Sequence, residues 1–304
     1  MSDDKSTSLV NLGELSKPAD TLIKKVSSAV GGVFEPWQIK RVAKAKAEAS
    51  LIEANTEIKI TDLHCRAMNR FIEEEANKQE NMEEITKKSI SHLSEKSDPD
   101  KMDDDWVTNF FDKSRIISDN EMQNLWAQVL AGEANSPGTY SKRTVNFLSS
   151  LDKKDAELFQ TLCRYCWFVG NLTPLPLVFN VENEIYNKNG INFKSLIHLK
   201  NIGLINFDID IELINVEAPG ANIRHRQKFD IGLINKNTVS YYGQPLALTM
   251  KNETNDRLDI GQVSFTQIGI ELVKISQSPR VPGFYEYVKE QWKVHIQDDK
   301  KPNN

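Results

Sequence analysis

Cys163-Arg-Tyr-Cys166 is the only C-x-x-C in the sequence, and thiols at that spacing can hold a metal ion or exchange a disulfide. A structural zinc site needs four ligands. No second cysteine pair completes one, and His64, His92, His198, His225 and His295 do not fall at H-E-x-x-H or any other ligand spacing. Leu158, Phe159, Leu162 and Trp167 flank the pair in a helical pattern, so Cys163 and Cys166 read as buried thiols behaving as small hydrophobes. The run Asp103-Asp104-Asp105 precedes an apolar stripe of Trp106, Val107, Phe110 and Phe111. Carboxylates in a first helical turn complement the helix dipole, which accounts for the run without a metal. The phosphate-binding and nucleophile-elbow patterns G-x-x-x-x-G-K-[ST], G-x-G-x-x-G and G-x-S-x-G do not occur. The expectation is therefore a protein with no catalytic residue, no cofactor and no metal.

The elements that would carry any site follow from composition and periodicity. The chain has 304 residues, 38 Lys and Arg against 43 Asp and Glu, 39% apolar residues and a mean hydropathy of −0.48. That excludes collagen-like and wholly disordered classes and fits two domains. Three cysteines form no closed disulfide framework, which points to a reducing compartment. The polar, acidic start carries no signal-peptide pattern. The longest uncharged stretch, 165–181, is short for a bilayer span and is broken by Gly170, Pro174 and Pro176. A cytoplasmic location is expected, with peripheral contact at the inner membrane as a variant. Residues 1–150 hold 20 basic and 25 acidic side chains, and residues 151–304 hold 18 of each. A neutral C-terminal half has no domain-wide excess to neutralise phosphates.

Residues 1–8 read as a disordered tail. An amphipathic helix is expected over 9–35, with Ser16 as N-cap, Pro18 in its first turn and Gly31-Gly32 at its end. Two readings stand for its apolar face, Leu22, Ile23, Val26, Val30, Val33 and Phe34 with Trp37 beyond: docking on protein, or lying in a membrane surface. From Trp37 to Leu93 there is no Pro or Gly, which predicts a very long helix within a helical domain over 36–150. Along it Ala47, Leu51, Ala54, Ile58, Thr61, Cys65, Met68 and Ile72 recur in alternating steps of four and three, the period of a coiled-coil seam. Either that seam pairs with a neighbouring helix or second copy, or the helix is a charged cover on a bundle. Ser118 with Glu121 predicts a capping box for the next helix through Leu125, Trp126, Val129 and Leu130. Ser141 and Asp152 cap two more, the last running to about Phe168.

The run Glu35-Pro-Trp-Gln-Ile-Lys-Arg41, then Asp103-Asp-Asp-Trp106, Phe110-Phe-Asp-Lys113, Ile117 to Trp126, Leu130-Ala-Gly-Glu-Ala134, Pro137-Gly138 and Ser141-Lys-Arg-Thr144 resembles the uncharacterised bacterial family termed domain of unknown function 2806. The shorter phrases Glu121 to Ala131 and Phe147 to Asp152 are similar to the abortive-infection alpha family of phage-exclusion proteins. That resemblance implies a bacterial cytoplasm and a place in antiphage defence. Neither family supplies a catalytic residue to carry over.

After residue 170 the pattern changes. A helix at 192–202, an alternating strand at 204–213, further strand-like segments at 228–234, 240–249 and 258–265, and a turn into helix after Phe265 give an α+β domain over 151–296, followed by a tail at 297–304. The fold class is thus mainly α with a C-terminal α+β part. Leu196 to Ile205 resembles the recognition helix and first strand of a winged helix, and Thr266-x-x-Gly269-x-x-Leu272 resembles its common ending. Such a domain reads bases through a major-groove helix. Here that helix offers Lys194 and Lys200 but no arginine, the usual reader of guanine edges. Arg224, Arg226 and Lys228 form the compact basic cluster of this half, either a phosphate-touching wing or a solvated hairpin tip. Nucleic acid is therefore disfavoured as a partner. The composite expectation is an interaction or sensing protein whose partner is itself or another protein, with a winged-helix DNA-binding regulator as the alternative and an enzyme of unrecognised type third.

Overall fold

The computed structural model describes residues 16–31, 62–169, 173–207, 227–230, 238–248, 257–276 and 278–296. It is mostly helical with short antiparallel strands, and it divides into two compact units, Met1–Ser150 and Leu151–Asn304.

In the first unit, α1 (Lys17–Val30) starts at Ser16, whose hydroxyl accepts from the Ala19 amide at 3.4 Å, and stops at Gly31 in the left-handed region, φ 86°. The long helix α2 runs Asp62–Ile90, and a 3-10 turn covers Pro99–Lys101. Helix α3 (Asp104–Ser114) is capped by Asp103, which takes the Trp106 amide at 2.7 Å. The acidic run is thus a cap and a first turn, the role that the helix dipole favours. Helix α4 (Asn120–Asn135) is capped by Asp119, not by the expected Ser118 with Glu121; the Asp119 carboxylate accepts from the Glu121 and Met122 amides, both at 3.0 Å. An aspartate one residue downstream satisfies two amides that a serine would have to share. Helix α5 (Lys142–Leu148) is capped by Ser141 as read from the sequence.

Trp126 of α4 is fully buried, and its ring meets Phe110 of α3 edge-on at 5.1 Å. Phe110 in turn stacks on Trp106 at 5.2 Å, and the Trp106 indole donates to the Tyr140 carbonyl at 2.7 Å. Glu133, 2% exposed, accepts from the Gly138 amide at 2.5 Å and the Tyr140 amide at 2.8 Å. The Tyr140 ring covers Gly132 so closely that a Cβ there would lie 2.7 Å from it. Gly132, Glu133, Gly138 and Tyr140 therefore form one lock between α4 and α5.

In the second unit, α6 (Lys153–Cys163) ends five residues earlier than the spacing predicts. Cys166–Val169 forms strand β1, paired with β2 (Thr173–Pro176) and with β5 (Thr238–Tyr241), which pairs with β6 (Gln244–Ala247). The helical reading failed because Trp167 and Phe168 must face opposite ways. Trp167 is buried, stacked on Tyr241 at 5.5 Å and Tyr285 at 5.3 Å, while Phe168 is 36% exposed. Only a strand alternates in that way. Prolines 174, 176 and 245 sit on the two edge strands, where a missing donor costs no ladder bond. The β5–β6 turn is Tyr242-Gly243 with φ 48° and 77°, the doubly positive geometry of a tight hairpin. Helices α7 (Glu184–Asn187) and α8 (Phe193–Asn201) lead to β3 (Ile205–Phe207), which pairs antiparallel with β8 (Val263–Phe265); β4 (Gln227–Asp230) pairs with β7 (Arg257–Gly261). Helix α9 (Gln267–Val273) is capped by Thr266, and a Cβ on Gly269 would lie 2.3 Å from the Leu204 carbonyl. Thr-x-x-Gly is thus a cap plus a close approach to the β3 strand. Helix α10 (Phe284–Gln291), not anticipated from the sequence, completes the core around Trp167 and Trp292.

The Trp126 indole N–H is buried without a hydrogen-bond partner. Trp126→Ala is expected to cost about 3–5 kcal/mol, and Trp126→Phe clearly less, because phenylalanine removes the unpaired donor while keeping most of the ring. Denaturant unfolding of both variants checks the order.

Candidate interaction face on the long helix

The lower half of α2 is part of the core. Ile85, Thr86 and Ser89 are buried, α2 packs along α4, the Asn81 amide donates to the Arg115 carbonyl at 2.9 Å, and Lys88 reaches Gln123 at 2.6 Å. Burial lowers the Lys88 pKa from its ordinary value, against a weaker pull upward from Glu84. Stepping up the helix in the same alternation of three and four from Ser89 passes Thr86, Met82, Gln79 and Glu75 and arrives at Ile72, Met68 and Cys65. The predicted seam and the core face are therefore one stripe. Its lower end is covered, whereas Met68 is 49% exposed, and Cys65 and Ile72 are half-buried.

Phe71, 59% exposed, widens this stripe and was missed by the seam reading, because heptad positions select every third or fourth residue and Phe71 lies beside Ile72. Leu63, 64% exposed, lies on another side of the helix at ~100° per residue. At ~100° per residue most of the charged side chains of these turns lie on sides of the helix away from the stripe, with Glu75 on it. Asp62, Arg66 and Arg70 occupy the first turns, and Glu73, Glu74, Glu75 and Glu80 with Lys78 the following ones. Arg66 pairs with Asp62, and Arg70 with Glu74 at 3.2 Å, all in the open. Such exposed pairs contribute little and leave these charges available to a partner. Ala47, Leu51, Ala54, Ile58 and Thr61 of the predicted seam lie outside the described residues.

The other sequence-predicted positions are placed differently. Leu22, Ile23 and Val26 are buried where α1 packs on α3 and the 3-10 turn, and Lys25 pairs with Asp104 at 2.6 Å. These three side chains are occupied by protein contacts, so a membrane contact through them would require α1 to leave its seat. Val30 is half-buried, and Val33, Phe34 and Trp37 lie outside the described residues. Lys194 and Lys200 are exposed on α8, where His198 contacts Asp155 at 2.6 Å. Lys228 lies in β4 opposite Asp259; Arg224 and Arg226 lie outside the described residues. Lys194, Lys200 and Lys228 belong to the second unit, and the α2 stripe to the first.

Cys163 and Cys166 straddle the end of α6 and the start of β1, a correction to the helical placement, and both are buried, 5% and 2% exposed. Burial pushes the Cys166 thiol well above the usual range, and the adjoining Cys163 thiol pushes it further. Among the described residues no group of three or more His, Cys, Asp and Glu could hold a metal ion, and no helix is long and apolar enough to cross a membrane. In native protein near neutral pH, maleimide is expected to label Cys65 alone, with Cys163 and Cys166 reacting only after unfolding, as read by intact mass; thiolates are the reactive form and burial withholds them.

No curated protein and no solved structure matches the chain. A family model does, that of the Protein of unknown function (DUF2806), over residues 65–289, about three quarters of the length. The match takes in the packed and open halves of the α2 stripe, the Gly132 to Tyr140 lock and the Thr266 cap, and the chain belongs to this family.

Proposed function

We propose that this protein is a non-enzymatic interaction protein of a bacterial cell, and that it docks a protein chain on the open upper stripe of α2. The observation that carries this reading is a stripe that serves as core in its lower half and leaves Met68 49% and Phe71 59% exposed in its upper half. An apolar helix face left exposed is suited to receiving another helix. Antiphage defence of the abortive-infection type is the physiological version of this proposal. It rests on the similarity of the Glu121–Ala131 and Phe147–Asp152 phrases, whose Trp126, Val129, Leu130 and Leu148 are buried and so speak for a shared way of packing.

A second reading, a winged-helix DNA binder, draws on the order α7, α8, β3 and β8, with α8 running directly into the β3–β8 pair and holding Lys194 and Lys200 exposed. Asp155 beside His198 adds a carboxylate to the same surface, which opposes phosphate contact.

Two measurements test these readings. The double variant Met68→Glu/Phe71→Glu is expected to keep the wild-type circular dichroism spectrum and melting temperature while losing phage protection in a plaque assay, since two charges on a desolvated docking face weaken binding by about ten-fold or more. Full protection by this variant overturns the docking reading. A DNA-binding protein would give a salt-sensitive gel shift lost in Lys194→Ala/Lys200→Ala or Arg224→Ala/Arg226→Ala; no shift at low salt ends that alternative.

A further inference from the structure

We infer that Cys163 and Cys166 are a redox couple, two thiols that the folded second unit holds in place to close into a disulfide under oxidising conditions. The couple lies in the second unit and is independent of the docking reading of α2. Cys163 is the last residue of α6 and Cys166 the first of β1, with the turn Arg164-Tyr165 between them. That turn is pinned at three points. The Tyr165 amide donates to the Leu162 carbonyl at 3.0 Å, the Tyr165 hydroxyl donates to the Ile185 carbonyl at 2.7 Å, and the Arg164 carbonyl accepts from the Tyr241 hydroxyl at 2.8 Å. Both ends of the C-x-x-C are therefore fixed, and the two thiols meet in a hydrogen bond.

Burial decides what this pair can become. A metal would need both sulfurs as charged thiolates, which buried surroundings oppose, and among the described residues no further ligand joins them. A disulfide is neutral and suits the place that the thiols already occupy. Packing has brought the sulfurs together, so closing the bond orders the folded chain little further, whereas the unfolded chain must close the ring by itself. The folded unit thus favours the oxidised pair, and by linkage the oxidised pair stabilises the folded unit. The bond ties the end of α6 to β1, an interior strand of the sheet whose Trp167 packs on Tyr241, Tyr285 and Trp292. Carrying the β1–β5 register two residues on from Phe168 and Ser240 sets Tyr242 across from Cys166. Burial, and then the neighbouring Cys166 and Cys163 thiols, push the Tyr242 hydroxyl up to about 12, yet Tyr242 is 40% exposed. The couple accordingly lies one side chain below the surface. Such a cover slows exchange and leaves its equilibrium unchanged.

Closure by glutathione disulfide takes two exchanges. The thiolate of Cys163, the more exposed of the pair, attacks one sulfur of the oxidant, forming a mixed disulfide and releasing one glutathione thiolate. The Cys166 thiolate then attacks the Cys163 sulfur, the protein disulfide forms and the second glutathione leaves. The two protons of the cysteine thiols pass to the two glutathiones; the protein loses two electrons and the oxidant gains them.

The full chain is incubated in glutathione buffers of stepped oxidised-to-reduced ratio, both native and in denaturant, then quenched in acid, alkylated and mapped by peptide mass. The expected result is a Cys163–Cys166 disulfide in the native chain at ratios about ten-fold or more below those that close it in the unfolded chain. The oxidised chain is also expected to unfold at a higher denaturant midpoint than the reduced chain, a difference absent in Cys163→Ala. A native chain that stays reduced, or that links only at the ratios of the unfolded chain or above them, overturns the couple. So does an oxidised chain no more stable than the reduced one.

Discussion

Glu133 is a carboxylate held in the interior by two backbone amides, and the helical unit is arranged around it. By taking the Gly138 and Tyr140 amides it bends the chain sharply after α4, which sets the Tyr140 carbonyl where the Trp106 indole can donate to it and lays the Tyr140 ring over Gly132. A buried charge is costly unless hydrogen-bonded, so the turn and the carboxylate require each other. Trp106, Phe110 and Trp126 then pack into one aromatic column between α3 and α4, the first two stacked and the last edge-on. The lower half of α2 has a firm surface to pack on only because that column holds α4 in place.

From this follows the division of α2 into two halves with different roles. One stripe of side chains runs along the helix, and its lower part is spent on the core while its upper part continues past the end of that packing. Most of the charges of these turns lie on other sides of the helix. A solvated cover would need only polar side chains on that face; Met68 and Phe71 exceed that need. The same logic runs the other way for α1, whose apolar face is already occupied where it packs on α3.

Several elements were legible because their signal is local. Ser16 and Ser141 cap the helices that follow them, each side chain satisfying an amide three residues away, and Gly31 ends α1 for a backbone reason, whereas Asp152 precedes α6 without a side-chain cap bond. The acidic run at 103–105 was correctly read as a helix start. The strand at Cys166–Val169 was not legible, because Leu158, Phe159 and Leu162 continue a helical period into Trp167, and only the Tyr241 and Tyr285 rings packed on that indole make the alternate geometry the better one. Asp119 displaced Ser118 as a cap for the simpler reason that a carboxylate in reach serves two amides.

For the candidate face, periodicity alone identified Cys65, Met68 and Ile72 as belonging to one seam, since a period of three and four is a property of the chain. Which part of that seam is covered is a property of the packing. It depends on where α4 begins beside α2, at Asn120 behind its Asp119 cap, where Asn81 and Lys88 reach Arg115, Asn120 and Gln123. Phe71 shows the same limit: beside Ile72 in sequence, it joins the stripe only through its 59% exposure in the folded chain. Sequence by itself determined several helix starts, the Ser16 and Ser141 caps and the period of the stripe, because these arise between residues a few positions apart. Tertiary structure alone decided which apolar side chains remain open, because burial is settled by contacts between distant segments.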